Sequence, residues 1–253
     1  MKKKTRWPIY LIIGLIITFI AFTVPLPYYI EVPGTSEDIR KVLQVNNQPD
    51  QEEGSYQFVT VGVKHARLVD LVYAWLTPFT DIRSAKEMTG GSSDAEFMRI
   101  NQFYMETSQN MAKYQGLKSA GKEIELKYLG VYVLTVTDNS TFKGILNIAD
   151  TVTAVNDKTF ESSKEMVDYV NSQTLGDKVK VTYQEDGKVK TAEGKIITLE
   201  NGKNGIGIGL IDRTEVSSDV PIKFSTAGIG GPSAGMMFSL SIYTQIADPT
   251  LRN

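Results

Sequence analysis

The 253-residue sequence predicts an α+β protein that begins with an apolar helix. Three stretches carry that expectation. Residues 7–30 contain no charged side chain. Residues 124–197 read as short strands, one capped helix and a tight hairpin. Near the end, the extended run Val220-Pro221-Ile222-Lys223-Phe224-Ser225 leads into Gly228-Ile229-Gly230-Gly231-Pro232-Ser233-Ala234-Gly235. An apolar segment without a breaker follows as far as Pro249.

Composition excludes several function classes. A net charge of −2 argues against nucleic acid as partner, because phosphate binding needs a basic field. There is no cysteine, so a Cys nucleophile, a Cys zinc site and a disulfide are all excluded. His65 is the sole histidine, which removes a multi-His metal site. No metal and no cofactor is expected. No G-x-x-x-x-G-K-[ST] run occurs, so ATP is not an expected partner. Gly205-Ile206-Gly207-Ile208-Gly209-Leu210 lacks the third glycine and the helix of a dinucleotide loop, and reads as a glycine-interleaved strand.

Taken in order, residues 1–30 read as a basic tail and a transmembrane anchor. Lys2, Lys3, Lys4 and Arg6 precede the apolar run, which is long enough for the ~20 residues a spanning helix needs. The basic flank places the N-terminus in the cytoplasm and the bulk outside. The run is longer than a usual signal-peptide core, and Phe22-Thr23-Val24-Pro25 is a poor cleavage site, so the anchor is expected to be retained. Pro25 and Pro27 should end the helix, and membrane lipid is then a partner.

Residues 31–123 mix strands and helices. Tyr28 to Val32 is extended and should stop at Pro33-Gly34. Ser55 to Val63 alternates like a strand, and Leu68 to Leu76 has helical spacing. His65 lies just before that helix and reads as a partly exposed loop residue. Ser93 and Glu96 form a capping box for a helix running to about Ser119 and ending at Gly121.

Residues 124–197 form the clearest module. Gly130 to Val136 is a strand, Gly144 to Asp150 a short helical turn, and Thr151 to Val155 a strand turned by Asn156-Asp157. Ser162 and Glu165 cap the next helix, and Lys178–Gln184 pairs with Lys188–Thr191 across Glu185-Asp186-Gly187. This order resembles a bacterial PDZ domain, a partly open β-barrel with helices. Gly144 to Asp157 is similar to the family's G-x-L-x-x-G-D-x-[VI]-x-x-[VI]-N-G pattern, with Ala149 and Asp157 in place of two glycines. The resemblance implies a carboxylate-binding loop at Leu129-Gly130-Val131, with Tyr132 next along the strand. A peptide would add as a strand there, and the helix from Ser163 would be the other wall. The alternative is a spacer domain with an unused groove.

In residues 198–253 the glycines allow positive φ and close backbone approach. Pro232 suits a first helical turn. Ser233 then meets free N–H groups at a positive helix end, where a developing oxyanion is stabilised. Gly231-Pro232-Ser233-Ala234-Gly235 resembles the nucleophile motif of Lon-type serine proteases. The longer stretch Gly228 to Phe238 is similar to the bacterial membrane-anchored PDZ–Lon proteases, the family of the streptococcal peptide-processing protease. That resemblance implies Ser233 as nucleophile, with Gly230, Gly231, Pro232 and Ala234 shaping the turn and the oxyanion site. It also implies a dyad lysine some tens of residues later. No lysine follows Ser233 before Asn253. Arg252 cannot act as base, because its guanidinium keeps its proton. Residues 198–253 are therefore expected to be an incomplete proteolytic domain, cut short at the C-terminus and nearly inactive as it stands. Its apolar helix Ala234–Ile246 is then expected to lack partners. The expected function is a single-pass plasma-membrane serine endopeptidase that cleaves exported peptides or proteins. The alternative is a non-catalytic, membrane-anchored PDZ peptide-binding module.

Overall fold

The structure, a computed structural model, describes residues 6–252. The basic side chains Lys2, Lys3 and Lys4 lie outside the described residues. In chain order the elements are α1 (Trp7–Thr23), β1 (Pro25–Asp38), a 3-10 turn (Ile39–Lys41), β2 (Leu43–Val45), β3 (Gln57–Arg67), α2 (Leu68–Leu76), β4 (Asp81–Ser84) and α3 (Ala85–Thr89). Next come α4 (Asp94–Ser119), β5 (Glu125–Val136), β6 (Thr151–Val155), α5 (Ser163–Asn171), β7 (Lys178–Glu185) and β8 (Lys188–Lys195). The last are β9 (Ile197–Thr198), β10 (Asn204–Gly205), β11 (Ile208–Ser217), β12 (Ile222–Phe224), α6 (Gly235–Ile246) and a 3-10 turn (Pro249–Arg252). The chain divides into two compact units. One holds the residues up to Glu37 together with Val59–Ser93, and the other holds Asp38–Phe58 together with Asp94 onward.

In the first unit, α1 is apolar on every side and none of its side chains is buried. It ends just ahead of Pro25, as expected. Pro25 confines Val24 to extended backbone (φ −81°, ψ 118°), and the chain continues as β1. The helix has 17 residues, about 26 Å at ~1.5 Å per residue, against ~30 Å of hydrocarbon. Among the described residues no helix is long and apolar enough to cross a membrane. This corrects the expected membrane-spanning length of the helix.

β1 is the middle strand of a three-stranded sheet ordered β3-β1-β4. It does not stop at Pro33-Gly34. A Cβ on Gly34 would lie 2.4 Å from Thr60 Oγ1, so glycine lets the strand continue beside β3. His65 sits within β3 rather than in a loop, and its ring stacks on Tyr29 at 4.3 Å. α2 spans the residues that its spacing predicted.

The second unit has two cores. The first lies under a five-stranded antiparallel sheet ordered β11-β5-β6-β7-β8. Val131, Val133, Phe142, Val152, Val155 and Val181 fill it, with Met166 and Val170 of α5. Ser162 caps α5, its Oγ accepting the Glu165 N–H. Both hairpin turns use left-handed residues, Asn156-Asp157 and Asp186-Gly187. Residues 144–150 form successive turns instead of the expected helical turn. The Asp150 carboxylate accepts the Asn147 N–H at 2.8 Å and closes the last of them. Ala149 adopts φ +82°, the conformation for which the family pattern has glycine.

The second core joins α4 and α6 to Asp38–Phe58. β2 pairs with β12, Leu43 opposite Phe224 and Val45 opposite Ile222. Phe238 is fully buried, edge-on to Phe58 and to Phe224. Ile242 reaches so close to α4 that a Cβ on Gly116 would lie 2.9 Å from it. The expectation that Ala234–Ile246 lacks partners is thus corrected. Its partners come from α4 and from residues some two hundred positions upstream.

Candidate functional site: a serine loop and a strand-filled groove

The loop 228–234 lies along α4. The Gly231 N–H donates to Asn101 O at 2.9 Å, and Ser108 Oγ–H donates to Pro232 O at 3.0 Å. Upstream, Gln109 Nε2–H donates to Thr226 Oγ1 at 2.7 Å. A Cβ on Gly230 would meet Asn101 at 2.8 Å, and one on Gly235 would meet Ser108 Oγ at 2.6 Å. Two glycines of the motif are therefore set by close packing on α4, and Gly228 and Gly231 by positive φ.

Ser233 is exposed at the crest of this loop, and Ala234 behind it is fully buried. The helix starts at Gly235 with Ala234 as N-cap, so Pro232 and Ser233 precede it. This corrects the placement of Pro232 in the first helical turn. Among the described residues, no titratable side chain hydrogen-bonds to Ser233. Lys223 is exposed on β12, opposite Gln44. Lys113, on α4, is half-buried with its ammonium 5.6 Å from the Phe224 ring centroid. Burial pulls its pKa down, against Glu106 and Glu215, which push it up. His65 belongs to the other unit.

At the second candidate site, the expected carboxylate loop is not a loop. Leu129, Gly130, Val131 and Tyr132 all lie inside β5. Gly130 has φ +135°, and a Cβ there would lie 2.3 Å from Val152 O. Val131 is fully buried in the sheet core. Tyr132 turns to the other face, stacked on Phe103 of α4 at 3.7 Å and 10° between ring planes. Burial pushes its phenol up.

The strand edge expected to take a peptide is also occupied. β5 pairs with β6 on one side and with β11 on the other, where Asp212 lies opposite Val131 and Arg213 opposite Gly130. The pairing shifts register between Gly209 and Leu210 and again between Arg213 and Thr214, leaving Leu134 and Leu129 of β5 without a partner on β11. β11 also touches the other wall. Asp212 Oδ1 accepts the Ser163 N–H at 2.9 Å, and Ile208 and Leu210 pack on the core that holds Met166 and Val170. Beside them the space that remains is about 60 Å³. Tyr128 stands at the same end of β5. Burial, with Asp212 and Glu165, pushes its phenol up to about 12.

A sheet with one helix laid across its edge strand is the arrangement by which PDZ domains bind peptides. The family described as "PDZ domain" matches residues 102–196. This chain carries a PDZ domain. Several solved structures are similar to about a third of its length. The PDZ domain of an SdrC-like protein from Listeria monocytogenes is 35% identical, covering 34% of this chain and 93% of that one, with a TM-score of 0.33. Its counterpart from Listeria innocua is 38% identical, covering 32% and 92%, with a TM-score of 0.31. A protein from Geobacillus thermodenitrificans is 30% identical, covering 32% and 94%, with a TM-score of 0.29. No curated protein matches. The PDZ match ends at residue 196, ahead of both β11 and Ser233.

Sequence reasoning missed Asn101 and Ser108, the residues that hold the serine loop. Asn and Ser inside a helix face carry no signal until their partner loop is known. It missed the position of β11 as well. Gly205 to Leu210 was legible as a glycine-interleaved strand, but not as the start of one that runs to Ser217 and pairs across some eighty residues with β5.

Proposed function

We propose that the protein is a membrane-anchored serine endopeptidase of Lon type, acting on exported peptides or proteins, with its PDZ domain as the peptide-recognition module. One observation carries this reading: Ser233 is exposed on a glycine loop held by Asn101 and Ser108, with its neighbour Ala234 buried. A nucleophile must be accessible and fixed in place, and this loop meets both demands. In this reading Ser233 Oγ attacks the peptide carbonyl carbon as its proton passes to a neutral lysine amine. That proton then goes to the departing amine, and water releases the acyl group from Ser233. The lysine is proposed to come from sequence beyond residue 253. Backbone N–H groups around Ser233 are proposed to hold the oxyanion.

The test compares the 253-residue chain with the same chain carrying whatever continuation its gene encodes, on a peptide substrate. The longer form should cleave, and Ser233→Ala in it should lower kcat by a factor on the order of 10⁴ or more. The 253-residue form should be nearly inert. Equal cleavage by the Ser233→Ala form would end the nucleophile assignment. A longer form that binds peptides without cutting them would favour a non-catalytic PDZ module.

The membrane reading rests on α1, none of whose apolar side chains is buried, and on the uncharged run around it. An apolar surface of this extent needs an apolar partner. The shortfall in helix length is of the kind that local bilayer thinning and flanking residues absorb. The N-terminus is proposed to be cytoplasmic and the bulk extracellular. Protease added to intact cells should digest an epitope placed near residue 190 and spare one at residue 2. The opposite pattern would reverse the orientation, and release of the protein by alkaline carbonate would remove the anchor.

A further inference from the structure

The PDZ groove already holds a ligand, and that ligand is the chain itself. β11 runs antiparallel to β5 from Ile208 opposite Val136 to Ser217 opposite Glu125, straight through the place where a bound peptide would add. Alternate residues of a strand share a face. Here Ile208, Leu210 and Asp212 form that face. The two aliphatic side chains rest against the α5 side of the core, and the carboxylate takes the first free N–H of α5. The strand does not end at Leu129-Gly130-Val131, as a peptide terminus would. It continues past that point, with the Thr214 carbonyl accepting from Asn110 of α4 at 3.0 Å and Arg213 Nη1 donating to Thr151 Oγ1 at 2.6 Å.

We propose that the groove recognises an internal extended segment of the pattern aliphatic-x-aliphatic-x-acidic, and that a peptide of this class gains entry by displacing β11. The inference rests on the PDZ domain as a peptide binder and is independent of Ser233. Recognition of a free C-terminal carboxylate does not fit the site. β5 is a continuous strand where the binding loop would be. Physically, β11 competes as a tethered ligand whose effective concentration is set by the chain, so a free peptide must overcome it.

The test uses the 253-residue chain and a fluorescent peptide, blocked at both ends, with the sequence of residues 206–214. The unaltered chain should bind it weakly. Leu210→Ser removes an anchor from the tethered strand but leaves the groove intact, and should tighten binding about tenfold or more. A second pair of variants guards against simple unfolding. A Cβ on Gly209 would lie 3.5 Å from Thr135 Cβ, within the separation a disulfide spans. The chain has no cysteine of its own. Thr135→Cys with Gly209→Cys should therefore form a disulfide under mild oxidation, abolish peptide binding, and regain it on reduction. Equal binding by the oxidised and reduced forms would overturn the inference. So would binding unchanged by Leu210→Ser, or no binding of this peptide by any form. A peptide library displayed to Leu210→Ser then separates the causes. Capture only through free C-terminal carboxylates keeps the peptide-binding reading and rejects this ligand class. Capture of nothing rejects both.

Discussion

Phe238→Ala should destabilise the second unit by about 3–5 kcal/mol, the range for deleting a buried aromatic ring. The residue is fully buried, and its ring meets Phe58 and Phe224 edge-on. Its neighbours come from the two ends of the chain, so the cavity would sit where three segments join. Whole domains are stable by only about 5–15 kcal/mol, so the loss is a large fraction of the total. Thermal unfolding followed by circular dichroism should show the transition fall by at least ~6 °C, at about 2–4 °C per kcal/mol. Phe238→Leu refills most of the volume and should recover more than half of that. A transition unmoved by the alanine would mean that α6 does not pack as described.

Gly130→Ala is the second large effect. φ of +135° is open to glycine and costs other residues about 1–3 kcal/mol. The added methyl would also stand 2.3 Å from Val152 O and push β5 from β6 where Val131 faces Val152. Gly144→Ala is the control. Its φ is +76° with nothing within 4 Å, so only the backbone term of about 1–2 kcal/mol remains. Urea midpoints should fall well further for Gly130 than for Gly144. Equal losses would show that β6 yields to the methyl group, and that Gly130 is set by backbone conformation alone.

Much of the local structure was legible because its determinants are local. α2, α5, β6 and the β7–β8 hairpin follow from apolar spacing, from the Ser162 cap and from the turn residues Asn156-Asp157 and Asp186-Gly187. Identifying the PDZ module required the same information at slightly longer range. The errors have a different origin. Residues 144–150 make isolated turns, the last closed by the Asp150 side chain, rather than a run of helical backbone bonds. β1 passes Pro33-Gly34 because Gly34 permits β3 to approach. Leu129 to Tyr132 lost its loop because β11 arrives from far along the chain. At the serine motif close approach to the glycines was legible, but not that the element lying against Gly230 and Gly235 is α4. Periodicity carries no information about such distant partners.

The pairing of β2 with β12 also bears on the order in which the protein forms. Val45 leaves the ribosome about 180 residues before Ile222, its partner, which at ~5–20 residues per second is a wait of about 10–35 s. During that interval Leu43 and Val45, both buried in the finished unit, have no strand to pair with. The β5–β8 hairpins close over much shorter distances and can be complete first. Synthesis therefore yields a folded PDZ sheet while the segment around residue 45 is still a sticky, unpaired edge. The lasting vulnerability of this chain is then to aggregation or proteolysis during its making, before the serine loop exists.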